Sequence, residues 1–314
     1  MAIIFTIISM LAASIEDFFE KKAISSSTED ALKTLVWYGI TNAILLCALL
    51  ILGMDELTMM PHEVLLSKPI VLLTPAFSCL TLLFALIAYK YLGVSERNSF
   101  VNVDGFFFII LLVLYHVLTG NADYATRLLS PFTLIGVTLI IIATIVYPYT
   151  KRPKIKDGST PRHLLNKKPK TVLILGMSIS FISALFDGTE SLVSSVLIGD
   201  DIVDSLDYIA TLLLVQFILA MFVWIYLWIR NKKPYNPFQK TEKYRYISQS
   251  FSILADLLYV FALSDDALLG VILWNVFPVL DIVSARIFMK EKLTWFQYLM
   301  LFMIIVGAVL ISIS

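Results

Sequence analysis

The chain has 314 residues, 59% of them hydrophobic and 15% charged, with no net charge at neutral pH. Soluble globular proteins carry about 25% charged residues. The apolar excess here is gathered into blocks of about 20 residues, the length that crosses a bilayer core. A soluble globular protein is therefore excluded, and no loop is long enough to hold a separate folded domain.

In chain order, ten blocks read as membrane spans: residues 2–24, 32–53, 70–91, 98–118, 128–148, 171–198, 206–230, 247–263, 267–288 and 294–313. Backbone polar groups find no water in lipid, so such blocks are expected to be helices. The first has no basic n-region and no small-residue cleavage site before Glu16-Asp17, so it reads as a span and not as a signal peptide. Met60-Pro61-His62, Gly120-Asn121 and the prolines Pro148, Pro153 and Pro161 fall between blocks, where breakers belong. Trp37, Tyr38, Tyr147, Tyr149, Trp224, Trp228 and Trp295 lie near block ends, the pattern of an aromatic belt. Cys47 and Cys79 fall inside apolar blocks and are expected as free, buried thiols, with no CxxC and no metal-spaced His/Cys set.

The basic residues sort by loop. Every Lys and Arg except Lys68 and Arg127 falls beside or within an odd-numbered loop. Cytoplasmic loops carry the excess of Lys and Arg, so odd loops are expected inside and both termini outside. The most basic stretch, residues 151–170, reads as a topology anchor that touches anionic headgroups. It lacks the interleaved aromatic residues of a nucleic-acid platform.

That linker divides the blocks five and five, and an odd count makes the halves opposite in orientation. A shift of about 170 residues brings Asp17-Phe18-Phe19-Glu20 onto Asp187-Gly188-Thr189-Glu190, Ser95 near Ser264, and Gly136 near Gly307. The expected fold is an all-α membrane protein of ten transmembrane helices in two inverted-topology repeats, residues 1–150 and 171–314.

Acids within the spans are the candidates for function, because an ionised carboxylate in hydrocarbon costs several kcal/mol by rough estimate. Asp187 and Glu190 share a face of the sixth span, one turn apart. Asp256, with Tyr259 three residues on, and Asp281, with Asn275 and Pro278 on its face, are expected nearby. Asp17 is a weaker candidate. Glu20, next to Lys21-Lys22, is expected at the interface, and Glu16 about 100° away from Asp17. Asp104 opens the fourth span. Trp274 would suit a cation cage, although a packed tryptophan is the plainer reading. Asn42 and Gln216 read as helix–helix glue. Asp200, Asp201, Asp204, Asp207, Asp265 and Asp266 would line an outer mouth, solvated or drawing cations in. No Lys or Arg sits deep in a span; at most Lys90 and Arg286 approach from the ends.

Phe277-Pro278-Val279, then Glu291-Lys292-Leu293-Thr294-Trp295, then Gly307-Ala308-Val309 resemble the last two helices of the EamA-like, ten-helix branch of the drug/metabolite transporter superfamily. Gly188-Thr189-Glu190-Ser191 is similar to the sixth helix of that superfamily's bacterial choline permeases. The chain departs from the family where Trp-Gly is usual: it has Ala13-Ser14-Ile15-Glu16-Asp17 in the first helix and Phe186-Asp187-Gly188 in the sixth. The resemblance implies alternating access, a bacterial plasma membrane, and a quaternary ammonium received at Glu190.

The reading from residues and resemblance together is a non-enzymatic secondary transporter of a small cationic metabolite, choline or another amine. It would need no cofactor or metal, would be open to proton coupling, and would act as monomer or homodimer in the bilayer with no nucleic-acid partner. Proton-coupled export of drugs, amino acids or nucleosides is the alternative. An intramembrane hydrolase is remote, since no GxGD or GxSG motif is present. A non-transporting sensor has no tail or long loop to signal through.

Overall fold

A computed structural model describes residues 2–24, 28–52, 57–92, 97, 102–120, 130–147, 169–199, 202–274, 280 and 294–312. The described residues are helical, with no strand among them. The helices are α1 (Ala2–Ala23), α2 (Thr28–Leu52), α3 (Pro61–Ser67), α4 (Leu73–Ala88, entered through a 3-10 turn at Pro69–Leu72), α5 (Asn102–Leu118), α6 (Pro131–Val146), α7 (Pro169–Gly199), α8 (Ser205–Asn231), α9 (Lys243–Trp274) and α10 (Trp295–Ser312).

Local chemistry sets several of the ends. Pro131 stands at the first position of α6, and the Ser130 hydroxyl accepts from the Thr133 amide at 3.2 Å. Asp204 caps α8 by accepting from the Leu206 amide at 2.9 Å. In α10 the cap is reciprocal: Gln297 Oε1 accepts from the Thr294 amide and Thr294 Oγ1 from the Gln297 amide. Such side chains satisfy the orphan N–H groups of a helix start. Helix α8 stops at Lys232, whose φ of 53° is left-handed, and Pro234 follows two residues later.

Four segments are long and apolar enough to cross a membrane: Glu29–Ile51, Pro69–Ala88, Thr171–Gly199 and Ser205–Asn231. Helices α1 and α9 are of comparable length but carry more charge. The distribution of side chains is that of a membrane protein. Ile44, Phe222 and Phe302 face outward, whereas Gln216, Gln249 and Gln297 are fully enclosed. Lipid is as apolar as leucine, so outward apolar groups lose nothing there, while polar groups must find partners inside.

The broadest helix contacts are α1 with α9, α2 with α8, α4 with α7, and α6 with α10. Small residues permit the close approaches. A methyl group at Gly39 would lie 2.1 Å from Ala220 Cβ, and one at Gly307 would lie 2.6 Å from the Gly136 carbonyl oxygen. Ala12, Ala13 and Ala255 pack between α1 and α9, and the Ser9 hydroxyl donates to the Ala255 carbonyl at 2.6 Å.

Some sequence expectations change here. Helix α9 runs unbroken through Ser264-Asp265-Asp266, where an interruption between the eighth and ninth spans was expected. No Pro lies between Lys243 and Trp274 to force one. Helix α3 is additional to the expected set. Trp37, Tyr38 and Tyr147 are buried rather than belt residues; Trp228 and Trp295 are exposed, as a belt requires. Cys47 is exposed on the outer face and Cys79 only half-buried. Asp207 is buried, not part of a solvated mouth. It accepts from the Thr58 and Met59 amides and the Thr58 hydroxyl, which fastens the segment before α3 to α8.

Candidate functional site

Helices α1, α5, α7 and α9 each turn acids inward, onto one cavity of about 190 Å³. At about 30 Å³ per molecule this is room for roughly six waters, or one small metabolite. Its lining includes Glu16, Asp17 and Glu20 from α1, Asp104 from α5, Asp187 and Glu190 from α7, and Asp256 from α9. Seven carboxyls thus meet a single basic side chain among the described lining residues, Arg97. Tyr38, Tyr208 and Tyr259 complete the wall, with Ser78, Ser191, Ser194, Ser252 and Gln216.

Each acid has an identifiable neighbour. Asp17 Oδ1 accepts from the Tyr89 hydroxyl at 2.5 Å and lies 3.6 Å from Arg97. Glu20 accepts from Gln249 Nε2 at 3.1 Å. Asp256 Oδ2 accepts from the Tyr38 hydroxyl at 3.1 Å. Ser252 faces Glu16, and Ser78 faces Glu190. Asp104 of α5 and Asp187 of α7 both line the cavity, next to the close crossing at Gly188.

A chain of side chains backs this wall. Asn42 Nδ2 donates to Gln216 Oε1 at 2.8 Å, and Gln216 Nε2 donates to Ser78 Oγ at 3.1 Å. The glue expected of Asn42 and Gln216 is therefore present, and it also orients the serine that faces Glu190.

The acids of α7 are placed by close packing. Gly188, between them in sequence, lies against α5: a methyl there would be 2.5 Å from the Asp104 carbonyl oxygen and 2.7 Å from Phe107 Cβ. Phe186 stacks on Phe77 and Phe84 of α4, with ring centroids 5.9 and 5.7 Å away. The Ser183 hydroxyl donates to the Thr81 carbonyl at 2.9 Å. These contacts on both sides of α7 hold Asp187 and Glu190 toward the cavity.

Of the expected site residues, Asp17, Asp187, Glu190, Asp256 and Tyr259 line this cavity together. Asp281 and Asn275 lie outside the described residues, as does the side chain of Trp274. Three corrections concern the acids. Glu20 is buried rather than interfacial: Lys21 Nζ turns away to the Tyr89 and Leu92 carbonyls, at 2.6 and 3.0 Å, leaving Glu20 to Gln249. Glu16 lines the cavity along with Asp17, because the cavity wraps α1 broadly enough to take side chains about 100° apart. The acids are not all without a basic partner, since Arg97 from the connection between α4 and α5 reaches Asp17.

Arg97, Tyr38 and Tyr208 also line the cavity, and nothing in the sequence marks them as site residues. In the sequence Arg97 reads as a marker of sidedness and Tyr38 as a belt residue. Tyr208 lies one turn into α8, where nothing in its spacing distinguishes it from a core aromatic. Among the described residues, no group of three or more His, Cys, Asp or Glu side chains is placed to hold a metal ion.

No family model and no curated protein matches the chain. A solved crystal structure of a protein resembles it over 99% of this chain and 96% of that one, with a TM-score of 0.60 and 15% identity. At that identity the likeness is one of fold.

Proposed function

We propose that the chain is a secondary-active transporter of a small cationic metabolite, working by alternating access around this carboxylate-lined cavity. The observation that carries the proposal is seven acids and one arginine on one internal cavity. Ionised acids are costly in the membrane interior unless a cation, a proton or water compensates them. A cationic cargo supplies that compensation, and a cavity of this size admits one small molecule at a time.

In this reading the chain has ten spans in two inverted repeats of the EamA-like kind, in a plasma membrane with odd loops cytoplasmic. The packing supports the repeat. Exchanging halves maps the first span onto the sixth and the third onto the eighth, so the α1/α9 contact exchanges with α4/α7, while α2/α8 and α6/α10 each map onto themselves. Gly136 and Gly307, related by the repeat, meet each other directly. Inverted repeats place substrate sites between their halves, and the cavity draws on helices of both.

Proton coupling is the second element of this reading, because carboxyls gathered on one cavity in the membrane interior can be compensated either by a proton or by a cation. An arriving cation would stabilise a cavity carboxylate as its ion and release the proton from it, which is the exchange an antiporter needs. The test is binding of a panel of amines to purified protein, wild type against Glu190→Gln. Loss of one carboxylate from a weakly solvated site should weaken cation binding about tenfold or more. Equal binding across the panel sinks the proposal.

A further inference from the structure

Helices α1 and α9 run antiparallel along one seam. Phe5 meets Phe261 near one end, with ring centroids 5.9 Å apart, and Phe19 stacks on Tyr244 near the other, at 6.1 Å. Lysines gather at the Phe19 end. Lys22, in the last turn of α1, sets its ammonium 4.1 Å from the Phe18 ring centroid, 5.9 Å from that of Phe19 and 5.6 Å from that of Tyr244. Lys243, the first residue of α9, sets its own 4.9 Å from the same Tyr244 ring. Both lysines are exposed. Neither pairs with a carboxylate among the described residues.

We propose that this end of the seam binds an anionic phospholipid, with its phosphate at Lys22 and Lys243 and its acyl chains along the outward face of α1. The shared rings hold both ammonium groups over one surface, so less side-chain freedom is lost when an anion arrives. Each ammonium keeps N–H donors that a ring face satisfies only in part, and phosphate oxygens accept charge-assisted hydrogen bonds from them. The apolar half of the ligand is matched too. Ile4, Ile8, Leu11, Ile15, Phe18 and Lys22 recur at spacings of four and three residues, so they share one face of α1. Ile4, Ile8 and Leu11 are about half exposed, and Leu254 and Phe261 are exposed on α9. A soluble anion would use the ammonium groups alone, whereas a phospholipid uses the charge and the stripe that leads away from it. A choline headgroup brings its own positive charge to the lysines and gains less. The site lies outside the cavity and is independent of the cargo. It does adjoin the cavity frame, since the hydrogen bond between Glu20 and Gln249 crosses the same seam beside Phe19.

Native mass spectrometry of the purified full-length protein, titrated with phosphatidylglycerol or phosphatidylcholine, counts bound lipid directly. Wild type should bind phosphatidylglycerol about tenfold or more tightly, since each basic side chain at a headgroup contributes about fivefold. Lys22→Gln combined with Lys243→Gln should lower that ratio about tenfold. Both lysines are exposed, so these changes remove no core packing. Lys22→Arg combined with Lys243→Arg should keep the ratio, because a guanidinium also stacks on rings and pairs with phosphate. Lys233→Gln, which removes an exposed lysine past the end of α8, should keep it as well. Equal binding of the two lipids by wild type overturns the proposal, as does an unchanged ratio in the double glutamine variant. An equal loss in Lys233→Gln would show a general effect of charge and overturns the site too.

Discussion

The Tyr38 hydroxyl on α2 donates to Asp256 on α9 at 3.1 Å, joining the two halves of the chain at the cavity wall. The same carboxylate faces the cavity. The bond fixes one Asp256 oxygen at the wall. Tyr38→Phe removes the donor while keeping the ring, and hydrogen bonds to charged groups contribute about 1.5–3 kcal/mol. The expected outcome is weaker cation binding by about threefold to tenfold, with a small drop in thermal stability. Unchanged affinity in a titration of the purified variant would show that Asp256 needs no such support.

Arg97 is the basic counterweight in the cavity, 3.6 Å from Asp17 and over the Tyr89 ring at 5.2 Å. It competes with any cationic guest for the α1 carboxylates. Arg97→Gln should therefore tighten cation binding, by about threefold to tenfold at low salt, with the gain shrinking as salt rises. Titration at two ionic strengths checks this. A fall in affinity would mean that Arg97 organises the site and does not oppose the cargo.

Much of the wall was legible in the sequence because charge within an apolar helix is conspicuous. Asp187 and Glu190 stood out by their three-residue spacing, and Asp256 with Tyr259 by the same rule. What stayed hidden depended on side-chain direction. Glu20 looked interfacial because Lys21 follows it, yet Lys21 turns to carbonyls at the end of α4 and leaves Glu20 inside. Tyr38 looked like a belt residue because it lies near a span end, and Arg97 like a topology marker because it lies in a loop. A loop's charge count says which side it occupies, not which of its side chains folds back. Of the fold, α1, α2, α4 to α8 and α10 lie within a few residues of expected spans, whereas α9 runs on past Ser264 into the expected ninth span, most of which lies outside the described residues; Ser and Asp suit helix starts and also tolerate helix interiors.

Gly188 should be intolerant of any side chain. The Asp104 carbonyl oxygen would lie 2.5 Å from an added methyl, a backbone group with no rotamer to move aside. Gly188→Ala must push α5 from α7, and overpacking of this kind costs about 1–3 kcal/mol. Because Asp104 and Asp187 stand at that crossing, ligand affinity should fall with stability. Gly199→Ala is the control, since a methyl there meets nothing within 4 Å. Thermal unfolding of both variants in the same detergent checks it; equal midpoints would mean that the crossing yields without strain.

Asp207 and Asp30 perform matching work at corresponding helix starts. Asp207, at the start of α8, holds the segment that follows α2 through the Thr58 and Met59 amides, at 3.0 and 3.1 Å. Asp30, at the start of α2, holds Arg245 at 2.8 Å, and Arg245 also pairs with Glu242 in the segment that follows α8. Tyr235 joins this second clamp by donating to Glu242 at 3.0 Å; burial, then the nearby carboxylate, pushes its phenol above the ordinary range and keeps it a donor at neutral pH. Neither aspartate lines the cavity. Removing one partner of a buried ion pair costs about 3–5 kcal/mol, and a carboxylate with three hydrogen bonds is comparably placed. Asp30→Ala and Asp207→Ala should each destabilise by roughly that much, while the folded fraction keeps its affinity for amines. Losing affinity without losing stability would place these residues in the transport cycle instead of the frame around it.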